Sequence, residues 1–235
     1  MTEKYRGCLF SVLGDSISTL EGYSKPYYAA FYEGRQKFKT GVFLPEDTWW
    51  GQVIARLGGE LLTNDSFSGS KVIKSVGCEI PSYACSDERT SALSDRGVHP
   101  DVIMVYMGTN DWGGGVRVTP SCEAETGDVG VFSVAYACML EKLRENYPRA
   151  EIWCFTLAVS MQSRREDFVF PYRYGGRHIE EYCDTIRTCA KAYGCRLVDL
   201  YRVGVPYDTN DGFHPNAEGM KTLADAVLKA LEKEA

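Results

Sequence analysis

Gly14-Asp15-Ser16 follows directly on the apolar run Cys8-Leu-Phe-Ser-Val-Leu13, and near the far end of the chain stands Asp211-Gly-Phe-His214-Pro215. A serine hydroxyl is a poor nucleophile until a base removes its proton. Ser16 therefore becomes reactive only where a histidine and an orienting carboxylate can reach it. His214 and Asp211 have the residue types for those two tasks. Asp208 competes for the orienting role, but only Asp211 has the Asp-x-x-His spacing. Acyl transfer also places a full negative charge on the former carbonyl oxygen, which calls for hydrogen-bond donors. Two further blocks offer them. Asn64-Asp-Ser-Phe-Ser-Gly69 follows Leu61-Leu62, and Met107-Gly-Thr-Asn110-Asp111 follows Asp101-Val-Ile-Met-Val-Tyr106. Both lie at the carboxyl end of an expected strand, where open parallel sheets hold their ligands. The Gly69 N–H, the Asn110 amide and the Ser16 N–H make three donors.

In this order, from about Leu9 to Gly219, the four blocks resemble the SGNH hydrolases, also called the GDSL esterase and lipase family. At average residue usage the three catalytic blocks coincide by chance in roughly one chain in ten thousand, so coincidence is set aside. The resemblance implies Ser16 as nucleophile and oxyanion donor, Gly69 and Asn110 as the other donors, His214 as base and Asp211 as its partner. It implies a serine ester hydrolase working without a cofactor. Ile17 stands where the family motif has leucine, an exchange of one branched aliphatic for another that leaves the chemistry unchanged. The first choice of substrate is a small acyl ester, foremost an acetylated carbohydrate. A lysophospholipase or acyl-thioesterase is the alternative among hydrolases. An acyltransferase or a non-catalytic carbohydrate-binding module is the alternative from another class.

A chain of 235 residues with 44% apolar content can bury a two-sided core, and no linker, repeat or low-complexity tract divides it. One domain is expected over residues 1–235. The net charge of −6 argues against nucleic acid or an anionic membrane surface as partner, leaving a small-molecule ester. No run approaches the eighteen or so apolar residues that spanning a bilayer needs. Lys4 and Arg6 ahead of Cys8 to Leu13 imitate a signal peptide, but cleavage there would remove or strand Ser16, so a cytoplasmic protein is expected. The nine cysteines cannot all pair, and several, such as Cys8 and Cys154, fall in apolar strand patterns; all are read as free thiols. Cys183, Cys189 and Cys195 match neither a helical face nor a zinc spacing, and no metal is expected.

The elements that must bring these residues together alternate along the chain. Strands are expected at Arg6–Leu13, Glu60–Asn64, Asp101–Met107, Glu151–Ala158 and Arg196–Leu200, several of them continuous apolar runs of the kind buried on both faces of a parallel sheet. Helical spacing marks Trp50 to Leu57 ending at Gly58, Phe132 to Leu143 behind an Asp128 cap, Ile179 to Ala190 before Gly194, and Met220 to Leu231. Right-handed crossovers then give an α/β fold, a three-layer doubly wound parallel sheet. The resemblance adds the flavodoxin-like order 2-1-3-4-5 of five strands. Three long irregular segments, Thr19–Asp47, Trp112–Gly127 and Val159–Arg177, fall on the catalytic edge. The first is rich in aromatics, and Tyr23, Tyr27 and Trp112 are candidate substrate contacts. Arg164, Arg165, Arg173, Arg177 and His178 read as a solvated charged loop. Trp49 and Trp50 read as helix-to-sheet packing, and His99 as a turn residue.

Overall fold

Successive side chains of an extended strand point to opposite faces, so an uninterrupted apolar strand feeds two cores at once. That is what the chain does. Leu13, Ile103, Val105, Ile152 and Cys154 enter one buried cluster, while Phe10, Val12, Val102, Met104, Tyr106, Trp153 and Phe155 enter the other. These details come from a computed structural model, which describes residues 2–74, 83–120, 122 and 127–233.

The central sheet comprises β1 (Leu9–Gly14), β2 (Glu60–Asn64), β3 (Val102–Tyr106), β4 (Glu151–Phe155) and β5 (Arg196–Val198). All neighbours are parallel, in the order β2-β1-β3-β4-β5. This is the order the resemblance implied. Helices α1 (Trp49–Leu57) and α4 (Ala217–Lys233) cover one face. Helices α2 (Phe132–Asn146) and α3 (Ile179–Ala192) cover the other. Strands are added outward in one direction from β1 to β2 and in the other from β1 to β3, and this switch in strand order leaves a crevice at the carboxyl ends of β1, β2 and β3, where the three blocks emerge. Trp49 and Trp50 are buried against the sheet.

Element ends differ from the sequence pattern where local hydrogen bonds intervene. The last strand stops at Val198 because the Asp199 carboxylate caps a helical turn, Leu200–Val203, by accepting the Arg202 N–H. Asp128 does not cap α2. Val131 occupies the cap position, and Asp128 closes the preceding turn by accepting the Gly130 N–H. His178 proves to be a cap: its Nδ1 accepts the Glu180 N–H while the Glu181 carboxylate accepts the His178 N–H, a reciprocal capping box on α3. The irregular segments also hold structure. The first contains a helix, Gly34–Thr40. The third contains Ser160–Met161, paired with Tyr207–Asp208, and a small hairpin of Arg173–Tyr174 with Arg177–His178. Part of the second segment, residues 121 and 123–126, lies outside the described residues. Arg165 pairs with Asp167 and Arg177 with Glu181, both at 2.9 Å. Among the described residues no helix is long and apolar enough to cross a membrane.

The cysteines require a correction. Cys122 and Cys189 form a disulfide, their Cα atoms 5.5 Å apart, although 67 residues separate them in sequence. Spacing could not show that the second irregular segment lies across α3. Six others are free, and Cys78 lies outside the described residues. Alkylation of the denatured protein without reductant should therefore leave Cys122 and Cys189 unmodified, and reductant should expose both. Peptide mass mapping that finds either one alkylated before reduction would remove the bridge.

Candidate active site

The first strand ends at Gly14, and the chain turns at once into a short 3-10 helix, Ser16–Ser18. The Asp15 carboxylate caps it by accepting the Ile17 N–H at 3.0 Å. Burial pushes the Asp15 carboxyl up to about 6, against the pull of that N–H. A Cβ on Gly14 would lie 2.6–2.7 Å from the side chains of Ser18 and Ser66, so the sharp corner admits only glycine. The far end of the turn is anchored through the Ser18 carbonyl, which accepts the Trp50 indole N–H at 3.0 Å and the Asn64 amide at 2.9 Å. Ser16 is the first residue of the turn, so its N–H finds no partner inside it.

His214 reaches this corner from the loop before α4. Its Nε2 lies 2.9 Å from Ser16 Oγ, and its Nδ1 lies 2.7 Å from Asp211 Oδ2. The other Asp211 oxygen accepts the N–H groups of Phe213 and His214 at 2.9 and 2.8 Å. Burial works against ionisation of Asp211, but the imidazole and the two backbone donors outweigh it and hold the carboxyl at about 2. The Asp-x-x-His spacing thus closes a local turn that aims the carboxylate at its own histidine. Hydroxyls from three separate segments grip the carbonyls of this loop: Ser160 on Gly212, Tyr207 on Phe213 and Tyr32 on Pro215, at 2.6, 2.9 and 2.8 Å. Asp208 is occupied elsewhere. It accepts from the Ser163 N–H and hydroxyl and from the Asn216 amide.

The third block leaves β3 through Gly108, whose φ of +121° excludes other residues, and forms the helical turn Thr109–Gly113. Asn110 Nδ2 donates to the Ser70 carbonyl at 2.9 Å, which uses one of its two amide hydrogens. Buried Asp111 accepts the Val72 and Ile73 N–H groups at 2.9 and 3.2 Å. Burial raises its carboxyl to about 7 although both donors favour the charged form. The third block therefore grips the chain just after Gly69. Gly69 has a φ of +80° with open space around its Cβ position, so its backbone conformation, and not crowding, is what calls for glycine.

A cavity of about 210 Å³ opens on this constellation, and Ser16, Asn110 and His214 line it together with Ile17, Tyr174 and Phe213. Gly69 is not among its lining residues. The three aromatics expected to touch substrate also do not line it. Tyr23 packs toward Trp50 and Tyr27 toward Tyr28, both exposed side chains. Trp112 is buried, donates its indole N–H to the Arg177 carbonyl and supports Tyr174 and Phe213 from behind. Phe213 had a signal in the sequence, being inside the Asp-Gly-Phe-His block. Tyr174 had none, because only the folded hairpin carries it over Gly113.

The model of the GDSL-like lipase/acylhydrolase family matches residues 8–167, a span that includes Ser16, Gly69 and Asn110 and ends before Asp211. Among solved structures, a protein assigned as a GDSL-like lipase from Bacteroides ovatus ATCC 8483 is 25% identical with a TM-score of 0.73. The match covers 97% of this chain and 99% of that one. One from Bacteroides uniformis ATCC 8492 is 26% identical with a TM-score of 0.73, covering 97% and 96%. Est24, a carbohydrate acetylesterase from Sinorhizobium meliloti, shares the fold at 16% identity and a TM-score of 0.63, covering 97% and 100%. No curated protein matches the chain.

Were Ser16, His214 and Asp211 to act as one unit, Ser16→Ala or His214→Ala would each lower kcat by a factor of about 10⁴ to 10⁶, and the double variant would lose little more. Full additivity, or near wild-type turnover after Ser16→Ala, would dismantle the unit. Asn110→Ala should lower kcat about 10² to 10³-fold with KM little changed. Because the amide also holds Ser70, the melting temperature should drop as well, by roughly 2–4 °C for about 1 kcal/mol lost. A stability loss with kcat preserved would make Asn110 a turn residue only.

Proposed function

Because the chain belongs to the GDSL-like lipase/acylhydrolase family, we propose that it hydrolyses small acyl esters, foremost acetylated carbohydrates, through an acyl-enzyme on Ser16. As a member of that family it is a carboxylic ester hydrolase; the nucleophile, the donors and the substrate are our reading. The observation that carries it is the unbroken line Asp211–His214–Ser16, ending at a hydroxyl on the wall of the cavity.

In this reading His214 Nε2 takes the Ser16 proton as Oγ bonds to the ester carbon. The oxyanion is met by the Ser16 N–H, the Gly69 N–H and the second amide hydrogen of Asn110. Collapse breaks the bond to the alcohol oxygen, which leaves with the proton from Nε2. Water then gives a proton to His214 and attacks the acyl carbon; the tetrahedral species releases the acid and Ser16 Oγ regains its proton. Asp211, ionised from about pH 2 upward, keeps the imidazole oriented and stabilises its charged form throughout.

Two features support a short acyl group on a polar alcohol. Among the described residues the cavity beside Ser16 measures about 210 Å³ and is walled by Phe213 and Tyr174. Beside Phe31 lies a second hollow of about 560 Å³ bordered by Glu33, Arg35, Gln36 and Lys39, a polar surface suited to a hydroxyl-rich alcohol. The choice is supported by Est24, which shares the fold and is named as a carbohydrate acetylesterase.

The measurement is a series of p-nitrophenyl esters from two to sixteen carbons, followed by acetylated oligosaccharides. Each methylene buried in an apolar trough would gain roughly 0.8 kcal/mol, a rise of about fourfold in kcat/KM per carbon. The expected result is the opposite trend: highest kcat/KM for acetate, at least about tenfold lower by eight carbons, and release of acetate from the oligosaccharide. A maximum at twelve carbons or more would favour a lysophospholipase or acyl-thioesterase.

A further inference from the structure

Two hydrogen bonds, one at each ring nitrogen, fix the long axis of the His214 imidazole. They resist rotation of the ring about that axis only through their directionality, which is soft in a hydrogen bond. A third contact must set the plane. The Phe31 ring supplies it, lying face to face on the imidazole with centroids 3.5 Å apart and planes within 8°.

Phe31 is itself held against the nucleophile. Its N–H donates to Thr19 Oγ1 at 2.9 Å, and that hydroxyl donates to the Ser16 carbonyl at 2.8 Å. The next residue, Tyr32, is fully buried, meets Phe31 edge to face, and donates its hydroxyl to the Pro215 carbonyl immediately after His214. One dipeptide thus touches the turn that carries the hydroxyl, the ring that takes its proton and the backbone that carries the ring. Resting on the assignment of Ser16 and His214 above, we propose that Phe31 and Tyr32 are positioning residues: Phe31 sets the plane of the His214 ring and Tyr32 its backbone. In this aromatic-rich loop one face of Phe31 is thereby committed to the base.

The test compares Phe31→Leu, which keeps apolar bulk but no flat face, with Phe31→Tyr, which keeps the face, and with Tyr32→Phe, which removes only the hydroxyl. A misalignment of the base approaching 1 Å costs on the order of 10²-fold in rate. Phe31→Leu should therefore lower kcat for p-nitrophenyl acetate by about 10 to 100-fold with KM changed less than about twofold. Phe31→Tyr should recover most of the loss, and Tyr32→Phe should lower kcat by about 3 to 10-fold. A second readout needs no substrate. The far-downfield proton resonance of the His214–Asp211 hydrogen bond, assigned by its disappearance in His214→Ala, should broaden or vanish in Phe31→Leu and persist in Phe31→Tyr. Unchanged kcat and unchanged resonance in Phe31→Leu would overturn the proposal. So would an equal loss in Phe31→Leu and Phe31→Tyr, or a rise in KM in place of the fall in kcat. Should the wild-type protein cleave no ester, the reading of its function fails, while the resonance still decides whether Phe31 holds the ring.

Discussion

A guanidinium with no access to water organises the carboxyl ends of the first two strands. Arg89 donates to Asp65 Oδ2 at 2.6 Å, to the Asp65 carbonyl at 2.5 Å, to the Ser70 hydroxyl at 2.7 Å and to the Gly14 carbonyl at 3.1 Å. Its plane lies over the Tyr28 ring, and Lys25 meets the other Asp65 oxygen at 2.8 Å. Moving two ions out of water is costly and is offset only when nearly every donor and acceptor finds a partner. Here the partners are the last residue of β1, the first residues beyond β2 and the serine after Gly69. The geometry that satisfies Arg89 is therefore also the geometry that holds the Ser16 turn beside the Gly69 turn.

The third block completes this lacing through Asn110 on Ser70 and Asp111 on Val72 and Ile73. Ser70, next to Gly69, is consequently tied both to Arg89 and to the third block. In the proposed chemistry such ties matter, since donors held in place before the charge develops need no reorganisation as it forms. The histidine side is built the same way, its loop carbonyls accepting from Ser160, Tyr207 and Tyr32 and its ring lying on Phe31.

Much of this was legible in the chain. Expected and observed strands agree at Glu60–Asn64 to the residue and elsewhere to within a few; the central β1, β3 and β4 are the nearly continuous apolar runs typical of strands buried on both faces of a parallel sheet. Ser16, His214 and Asp211 could be singled out as candidates because acyl transfer demands particular residue types at particular local spacings, and the fold brings the three into one hydrogen-bonded line. Arg89 could not. It sits in Ser86-Asp-Glu-Arg-Thr-Ser91, a wholly polar stretch that reads as solvent-facing, and its burial follows from Asp65 being brought opposite by the β1–β2 crossover. Tyr23, Tyr27 and Trp112 do not line the cavity beside Ser16 for a related reason: aromatic content marks a loop without saying which rings turn inward.

What the sequence determined by itself is local. Continuous apolar runs and helical spacings set the alternation of elements, and Gly-Asp-Ser and Asp-x-x-His form turns whose hydrogen bonds close within a few residues. What only the tertiary structure decided is every contact between distant segments: Phe31 on His214, the Cys122–Cys189 bridge, Asn110 on Ser70, and Arg89 joining Gly14 to Asp65. The physical reason is that turn and strand preferences are carried by each residue's own backbone and its near neighbours. The partner of a buried charge or an aromatic face is chosen by whichever group the packed layers bring within reach, and no spacing along the chain records that distance.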